Sequence, residues 1–175
     1  MPENQARDRT PEEKAMKVKD LMTTAVKSCA ADNTLNTAAQ MMWENDIGCL
    51  PVIDKEGRAI GMLTDRDVCM SAYIQGVPLN GALVTSAMSK DVFCCTPEDD
   101  MAVAENLMKG KQIHRLLVLD ANRHPVGLLS LNDIAREGAH EAEMRMARQV
   151  SDAEITGLLS SVCAPRHRII QAQAA

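Results

Sequence analysis

Apolar residues recur at helical spacing in two stretches, Leu35, Ala38, Ala39, Met41 and Met42, and later Met101, Ala104, Leu107 and Met108. Asp32-Asn33-Thr34 precedes the first and Pro97-Glu98-Asp99-Asp100 the second, so both predict capped amphipathic helices. Each is followed by a short continuous apolar run, Cys49-Leu50-Pro51-Val52-Ile53 and Arg115-Leu116-Leu117-Val118-Leu119. Turns at Lys55-Glu56-Gly57 and Ala121-Asn122-Arg123 lead into Ala59-Ile60-Gly61-Met62-Leu63 and Pro125-Val126-Gly127-Leu128-Leu129, which completes two β-hairpins. A second helix starts at Thr64 and again at Ser130. Extended segments around Ala25-Val26 and Asp91-Val92-Phe93-Cys94 come first, so the order is strand, helix, strand, strand, helix, twice over. Beyond Gly138 the pattern changes. Residues 139–149 are charged and helix-favouring, and Ser151-Asp152 can cap a further helix. Its stripe of Ile155, Leu158, Leu159 and Val162 ends before Pro165 and must fold back on the module or cross to a second subunit.

The two halves superpose on a shift of 66 residues without a gap, and 13 of the 55 pairs from Val18/Val84 to Ala72/Gly138 are identical. Chance would give about three, so the unit is duplicated. The division expected is a flexible arm over residues 1–16, a repeat over 17–76, a second over 83–138, and a helical extension and tail over 139–175. Repeats of this size bury too little alone, which predicts that the two pack as one module.

What the duplication retains includes chemistry. Gly61-Met62-Leu63-Thr64-Asp65-Arg66-Asp67 lands on Gly127-Leu128-Leu129-Ser130-Leu131-Asn132-Asp133. Gly61 lets a backbone come close at the strand. Thr64 and the free amides of the first helical turn face one space, where an anion is welcome. Asp67, one turn on, can accept two hydrogen bonds from a diol. A hydroxyl followed three residues later by an acid is also an ordinary capping box, and both uses can coexist. Retention of the glycine in both copies favours the binding reading.

Composition narrows the alternatives. A formal charge of −5 and a pI near 5.4 oppose a nucleic-acid or membrane-surface role. One Trp, one Tyr and one Phe are too few for a base-stacking platform. No apolar run approaches a membrane span and the N-terminus lacks a signal-peptide pattern, so a cytoplasmic chain with free thiols is expected. No motif ties any of the four histidines to a nucleophile or metal, so no enzyme is expected. A metal or redox sensor using Cys94, Cys95, Cys163 or His167 is the alternative, opposed by the opposite facing of neighbouring strand residues.

The repeated unit, its order of elements and its Gly-x-x-(Thr/Ser)-x-x-Asp ending resemble the cystathionine-β-synthase (CBS) domain, present as a tandem pair over about two-thirds of the chain. The resemblance implies an α+β fold in which two βαββα repeats pack by pseudo-two-fold symmetry into one CBS-pair module. It implies clefts that bind adenosine-containing ligands such as AMP, ADP, ATP, S-adenosylmethionine or NAD, with no catalytic cofactor. Carried over residue by residue, Asp67 and Asp133 would hold ribose, and Thr64 and Ser130 would meet phosphate or ribose. Adenine contacts would come from backbone near Thr24 and Val26, Lys90 and Val92, and from Gly48, Leu50 and Pro51 or His114, Arg115 and Leu116. Arg66 and Arg115 suit phosphate, since a guanidinium fork matches its geometry. Asn132 replaces Arg66 and Gly48 replaces His114 between the copies, which predicts unequal sites. A homodimer and a protein partner to receive the signal are also implied.

Overall fold

The computed structural model describes residues 15–143 and 152–162. They form two three-stranded sheets of the same order, β1 (Cys29–Ala30), β2 (Cys49–Ile53) and β3 (Ala59–Thr64) in one, β4 (Cys94–Cys95), β5 (Arg115–Leu119) and β6 (Pro125–Ser130) in the other. In each the leading strand runs parallel to the middle one and the hairpin is antiparallel. Even the irregularities repeat: the register shift at Val52/Ile53 recurs at Val118/Leu119. Helices α1 (Val18–Leu21), α2 (Leu35–Glu44), α3 (Asp65–Gln75), α4 (Met101–Lys111), α5 (Leu131–Glu143) and α6 (Asp152–Val162) complete the α+β architecture that the sequence predicts.

The leading segments are exchanged between the repeats. Val18 N donates to Asp99 O at 2.9 Å and Val84 N to Asn33 O at 2.9 Å; Met101 N donates to Met16 O and Leu35 N to Ala82 O. Val18 therefore lies in the core of the second repeat, whereas Ala82 and Val84 lie in that of the first. Thr23 pairs with Leu128 of β6, and Ser89 with Met62 of β3. This exchange explains why the leading strands begin later than the expected Ala25-Val26 and Asp91: the backbone at Thr23 and Ser89 is already bonded to the other repeat, and the chain joins its own sheet only at Cys29 and Cys94. Met16, expected at the end of a free arm, packs against the second core. Residues 1–14 of that arm lie outside the described residues.

The exchange also accounts for the glycine in the repeated motif. A β-carbon on Gly61 would lie 2.6 Å from Met88 Sδ and 2.9 Å from Ser89 O, and one on Gly127 would collide with Met22 Sδ. The backbone that needs a close approach belongs to the exchanged segment.

Strand β5 is covered on both faces, which is why it reads as an unbroken apolar run. Leu116 and Val118 face the core that contains Met101, Met108 and Ile134, whereas Leu117 and Leu119 meet Ala59 of the other repeat. Helix α6 folds back: Leu158 and Val162 are buried in the second core and Ile155 packs against it. Ile155, Leu158 and Val162 of the terminal stripe are thus covered within the chain while Leu159 stays 39% exposed, so the expectation of a dimer that rested on the stripe's being uncovered loses most of its support. Large apolar side chains are exposed elsewhere, at Trp43 on α2 and at Tyr73 and Ile74 on α3.

Candidate functional site

Helix α3 starts at a reciprocal capping box. Thr64 Oγ1 accepts from Asp67 N at 3.2 Å, while Asp67 Oδ2 accepts from Thr64 N at 2.9 Å and from the Thr64 hydroxyl at 2.7 Å. The hydroxyl is thereby used both as donor and as acceptor. Asp67 Oδ1 has no hydrogen bond among the described residues, and it is the oxygen left to receive a ligand donor. In the second repeat Ser130 and Asp133 form the same box at 2.9, 2.6 and 3.3 Å. There the other oxygen is taken, since Arg136 Nη2 donates to Asp133 Oδ1 at 2.6 Å. Asp67 is half-buried, whereas Asp133 is only 6% exposed. The fastened guanidinium and a full set of partners make its burial tolerable.

A cleft of about 480 Å³ opens beside Asp67. The first repeat supplies Cys49, Met62 and Thr64 from its hairpin, with Asp65, Arg66 and Asp67 from the first turn of α3. The second supplies Ser89, Asp91, Val92 and Phe93 from its exchanged leading segment, and Lys111, Ile113, His114 and Arg115 from the end of α4 and the start of β5. Three basic side chains, Arg66, Lys111 and Arg115, and three carboxylates, Asp65, Asp67 and Asp91, therefore line one opening together with His114. Lys111 Nζ also lies 5.2 Å from the centre of the Phe93 ring, a cation–π distance. At the floor, burial pushes the Cys49 thiol up from its ordinary pKa against the pull of Arg115, so it stays a neutral thiol.

Of the residues singled out in the sequence, Thr64, Arg66, Asp67, Val92, His114 and Arg115 come together in this cleft. Lys90 sits exposed between the lining residues Ser89 and Asp91. Ser130, Asn132 and Asp133 stand at the equivalent position of the other repeat. Thr24 is exposed and Val26 half-buried in the segment leading to β1. Leu50 and Leu116 are fully buried with side chains in the two cores, and Pro51 is buried, so these three can offer a ligand backbone only. Gly48 lines a separate groove of about 340 Å³ with Trp43, Asp65 and Val68. The sequence reading missed Asp65, Phe93 and Lys111 as lining residues. Lys111 is three residues before His114, and its basic side chain was the available signal.

Among the described residues no group of three or more His, Cys, Asp or Glu could hold a metal ion, and no helix is long and apolar enough to cross a membrane. Cys163 and His167 lie outside the described residues.

Comparison with known proteins agrees with the geometry. The model of the CBS domain matches residues 18–72 and 84–140. The CBS domain-containing protein YhcV of Bacillus subtilis is 36% identical over 118 residues, 67% of this chain and 82% of its own. Hypoxic response protein 1 of Mycobacterium tuberculosis is 30% identical over 132 residues, 75% of this chain and 92% of its own. Among solved structures, the CBS domain protein TA0289 of Thermoplasma acidophilum has a TM-score of 0.70 at 22% identity, covering 86% of this chain and 78% of that one. The CBS domain pair of MJ0100 in complex with 5′-methylthioadenosine and S-adenosyl-L-methionine has a TM-score of 0.65 at 22% identity, covering 73% and 98%. CBSX2 in complex with AMP has a TM-score of 0.62 at 21% identity, covering 72% and 98%. With two domain matches spanning more than half of its length and the reciprocal exchange between them, this chain belongs to the CBS-domain family and carries the domain as a tandem pair.

Proposed function

We propose that the chain is a non-catalytic regulatory module that binds an adenosine-containing nucleotide, AMP, ADP, ATP or NAD, in the Asp67 cleft. The observation that carries this reading is Asp67, whose Oδ1 has no hydrogen bond among the described residues, in the lining of a cleft of about 480 Å³ built from both repeats. Asp67 Oδ1 would accept from a ribose hydroxyl. Arg66, Lys111 and Arg115 would meet phosphate, and the backbone beside Val92 and His114 would read adenine. The complexes of MJ0100 with S-adenosyl-L-methionine and of CBSX2 with AMP support the adenosine class.

A ligand held at Asp67 on one side and at His114 and Arg115 on the other bridges the repeats and favours one relative orientation of them. The change it can drive is limited by its differential affinity for the two arrangements. Signalling then passes to a protein partner in the cytoplasm. We infer a homodimer formed through α2 and α3 of the first repeat, where Trp43 is 88%, Tyr73 82% and Ile74 73% exposed. The matching face of the second repeat is already occupied by α6, which buries Leu158 and Val162 there. Light scattering of a Tyr73→Lys variant as a monomer beside a dimeric wild type would support this.

Titration calorimetry with AMP, ATP and NAD tests the nucleotide assignment. Asp67→Ala should lose at least about tenfold in affinity, the worth of a hydrogen bond to a charged group, while melting within a few degrees of the wild type. Unchanged affinity for every adenosine ligand in Asp67→Ala would overturn it.

A further inference from the structure

The shift of 66 residues sets Asp67 on Asp133 and Met70 on Arg136. Both carboxylates are held alike through Oδ2 by their capping boxes. They differ at the second oxygen, which is open in Asp67 and bonded by Arg136 Nη2 at 2.6 Å in Asp133. The surroundings differ in the same sense. Where the first cleft has Arg66, Lys111, His114 and Arg115, the equivalent positions hold Asn132, Asn45, Gly48 and Cys49.

We propose that Arg136 is a built-in occupant of the second ribose-type carboxylate, so the chain has one working adenosine site, at Asp67, and the second becomes available only when Arg136 is displaced. This rests on the nucleotide reading above. A guanidinium donating at 2.6 Å to a carboxylate is a charge-assisted bond, stronger than one from a neutral ribose hydroxyl, so a ligand entering the second cleft must first break the better contact. It would also find no counterparts of Arg66, Lys111 and His114, although the shift sets Arg115 on the lining residue Cys49 and Lys27 on Phe93. Yet the Arg136 side chain is 77% exposed against 8% for Asp133. It is held at its tip only, so it can swing into solvent and leave Asp133 free.

Replacing Arg136 with the residue that the first repeat carries provides the test. Full-length wild type, Arg136→Met, Asp133→Ala/Arg136→Met and Asp67→Ala/Arg136→Met are titrated with adenosine and with AMP, and circular dichroism and melting establish that each is folded. Arg136→Gln serves as a second probe if the methionine variant aggregates. The wild type should bind one adenosine per chain and Arg136→Met two. Both double variants should return to one, at different clefts, and AMP should remain at one throughout the tight range. One adenosine in Arg136→Met, abolished by Asp67→Ala, would overturn the proposal and leave the nucleotide reading standing. So would weaker AMP binding in Arg136→Met, which would make Arg136 a phosphate ligand, or two equal adenosine sites in the wild type. No binding of adenosine by any of the proteins would overturn this inference, and no binding of AMP, ADP, ATP or NAD either would overturn the nucleotide reading with it.

Discussion

Gly61 and Gly127 occupy the same register position, yet the structure predicts that alanine is tolerated differently at the two. A β-carbon on Gly61 would lie 2.6 Å from Met88 Sδ and 2.9 Å from the carbonyl oxygen of Ser89. Met88 can swing away. Ser89 O cannot, because it accepts from Met62 N at 3.0 Å while Ser89 N donates back to Met62 O at 2.9 Å. Relief therefore requires the exchanged segment to lift off β3. On Gly127 the new β-carbon would meet the thioether end and Cγ of Met22 and, at 3.2 Å, Cβ of Val118, all side-chain atoms. Methionine has three soft torsions and can yield. Overpacking against fixed atoms costs about 1–3 kcal/mol, and loss of glycine's unfolded-state freedom returns about 0.4–1 kcal/mol. Gly61→Ala should therefore lose about 1.3 kcal/mol net from the mid-range values, and about 2.6 kcal/mol at most, with Gly127→Ala below about 1 kcal/mol. At about 2–4 °C per kcal/mol for a chain of this size, the first should melt roughly 3–10 °C below the wild type and the second within a few degrees of it. Urea unfolding followed by circular dichroism measures both. Met88→Ala in the Gly61→Ala background should restore only part of the loss. A Gly61→Ala protein as stable as wild type, or a Gly127→Ala protein that loses more, would refute the view that a backbone contact of the exchanged segment is what requires glycine.

Three further outcomes follow from local contacts. His124 Nε2 lies 3.0 Å from Glu56 O and Nδ1 3.2 Å from Asp120 Oδ2, so only the imidazolium can donate to both. The Glu56 carbonyl and the Asp120 carboxylate raise its pKa above the usual 6.5, so this stabilisation is fully present below about pH 6.5 and is lost as pH rises through the folded value. The melting temperature should fall across that window, and His124→Arg, which installs the residue found at the matching Arg58, should flatten the fall. Leu158→Ala should cost about 2–5 kcal/mol in urea titrations, because the side chain is buried in the second core. Of the five described cysteines, Cys69 is exposed and should react first with a maleimide at mildly alkaline pH. Cys29 and Cys95 should stay protected while the protein is folded, since burial pushes their thiols up to about 11 and about 12.

Features set by neighbours along the chain were legible in the sequence. The hairpins, the starts of α3 and α5 at Thr64 and Ser130, and the carboxylates one turn beyond them follow from spacing, and the duplication reinforced each. The exchange of the leading segments was not legible. Whether Thr23 pairs with its own sheet or with Leu128 depends on a contact more than a hundred residues away, and nothing in the local pattern near Ala25 distinguishes the two. For the same reason Asp67 and Arg66 were found as candidates, but their neighbours Phe93 and Lys111, contributed by the other repeat, were not. Arg136 is a different case. An acid followed three residues later by an arginine is a readable helical pair, but at the sequence level it looks like any exposed ion pair, and only the burial of Asp133 gives it meaning.

The exchange also determines how a ligand could be felt. Asp67 follows directly from β3, and Met62 of that strand is bonded to Ser89 of the segment that lines the opposite side of the cleft. From Ser89 the chain passes through Asp91, Val92 and Phe93, where Phe93 O accepts from Leu117 N, into β4 of the second sheet. A molecule held at Asp67 and against Val92 thus sits on the crossing itself, a few residues from the only backbone pairing between β3 and that segment among the described residues. Any ligand that prefers one spacing of Asp67 from Arg115 must act on this crossing, because the two side chains belong to different repeats joined there. Coupling of binding to the relative orientation of the repeats then needs no additional moving part. It follows from building the cleft partly out of the segment that the second repeat lends to the first.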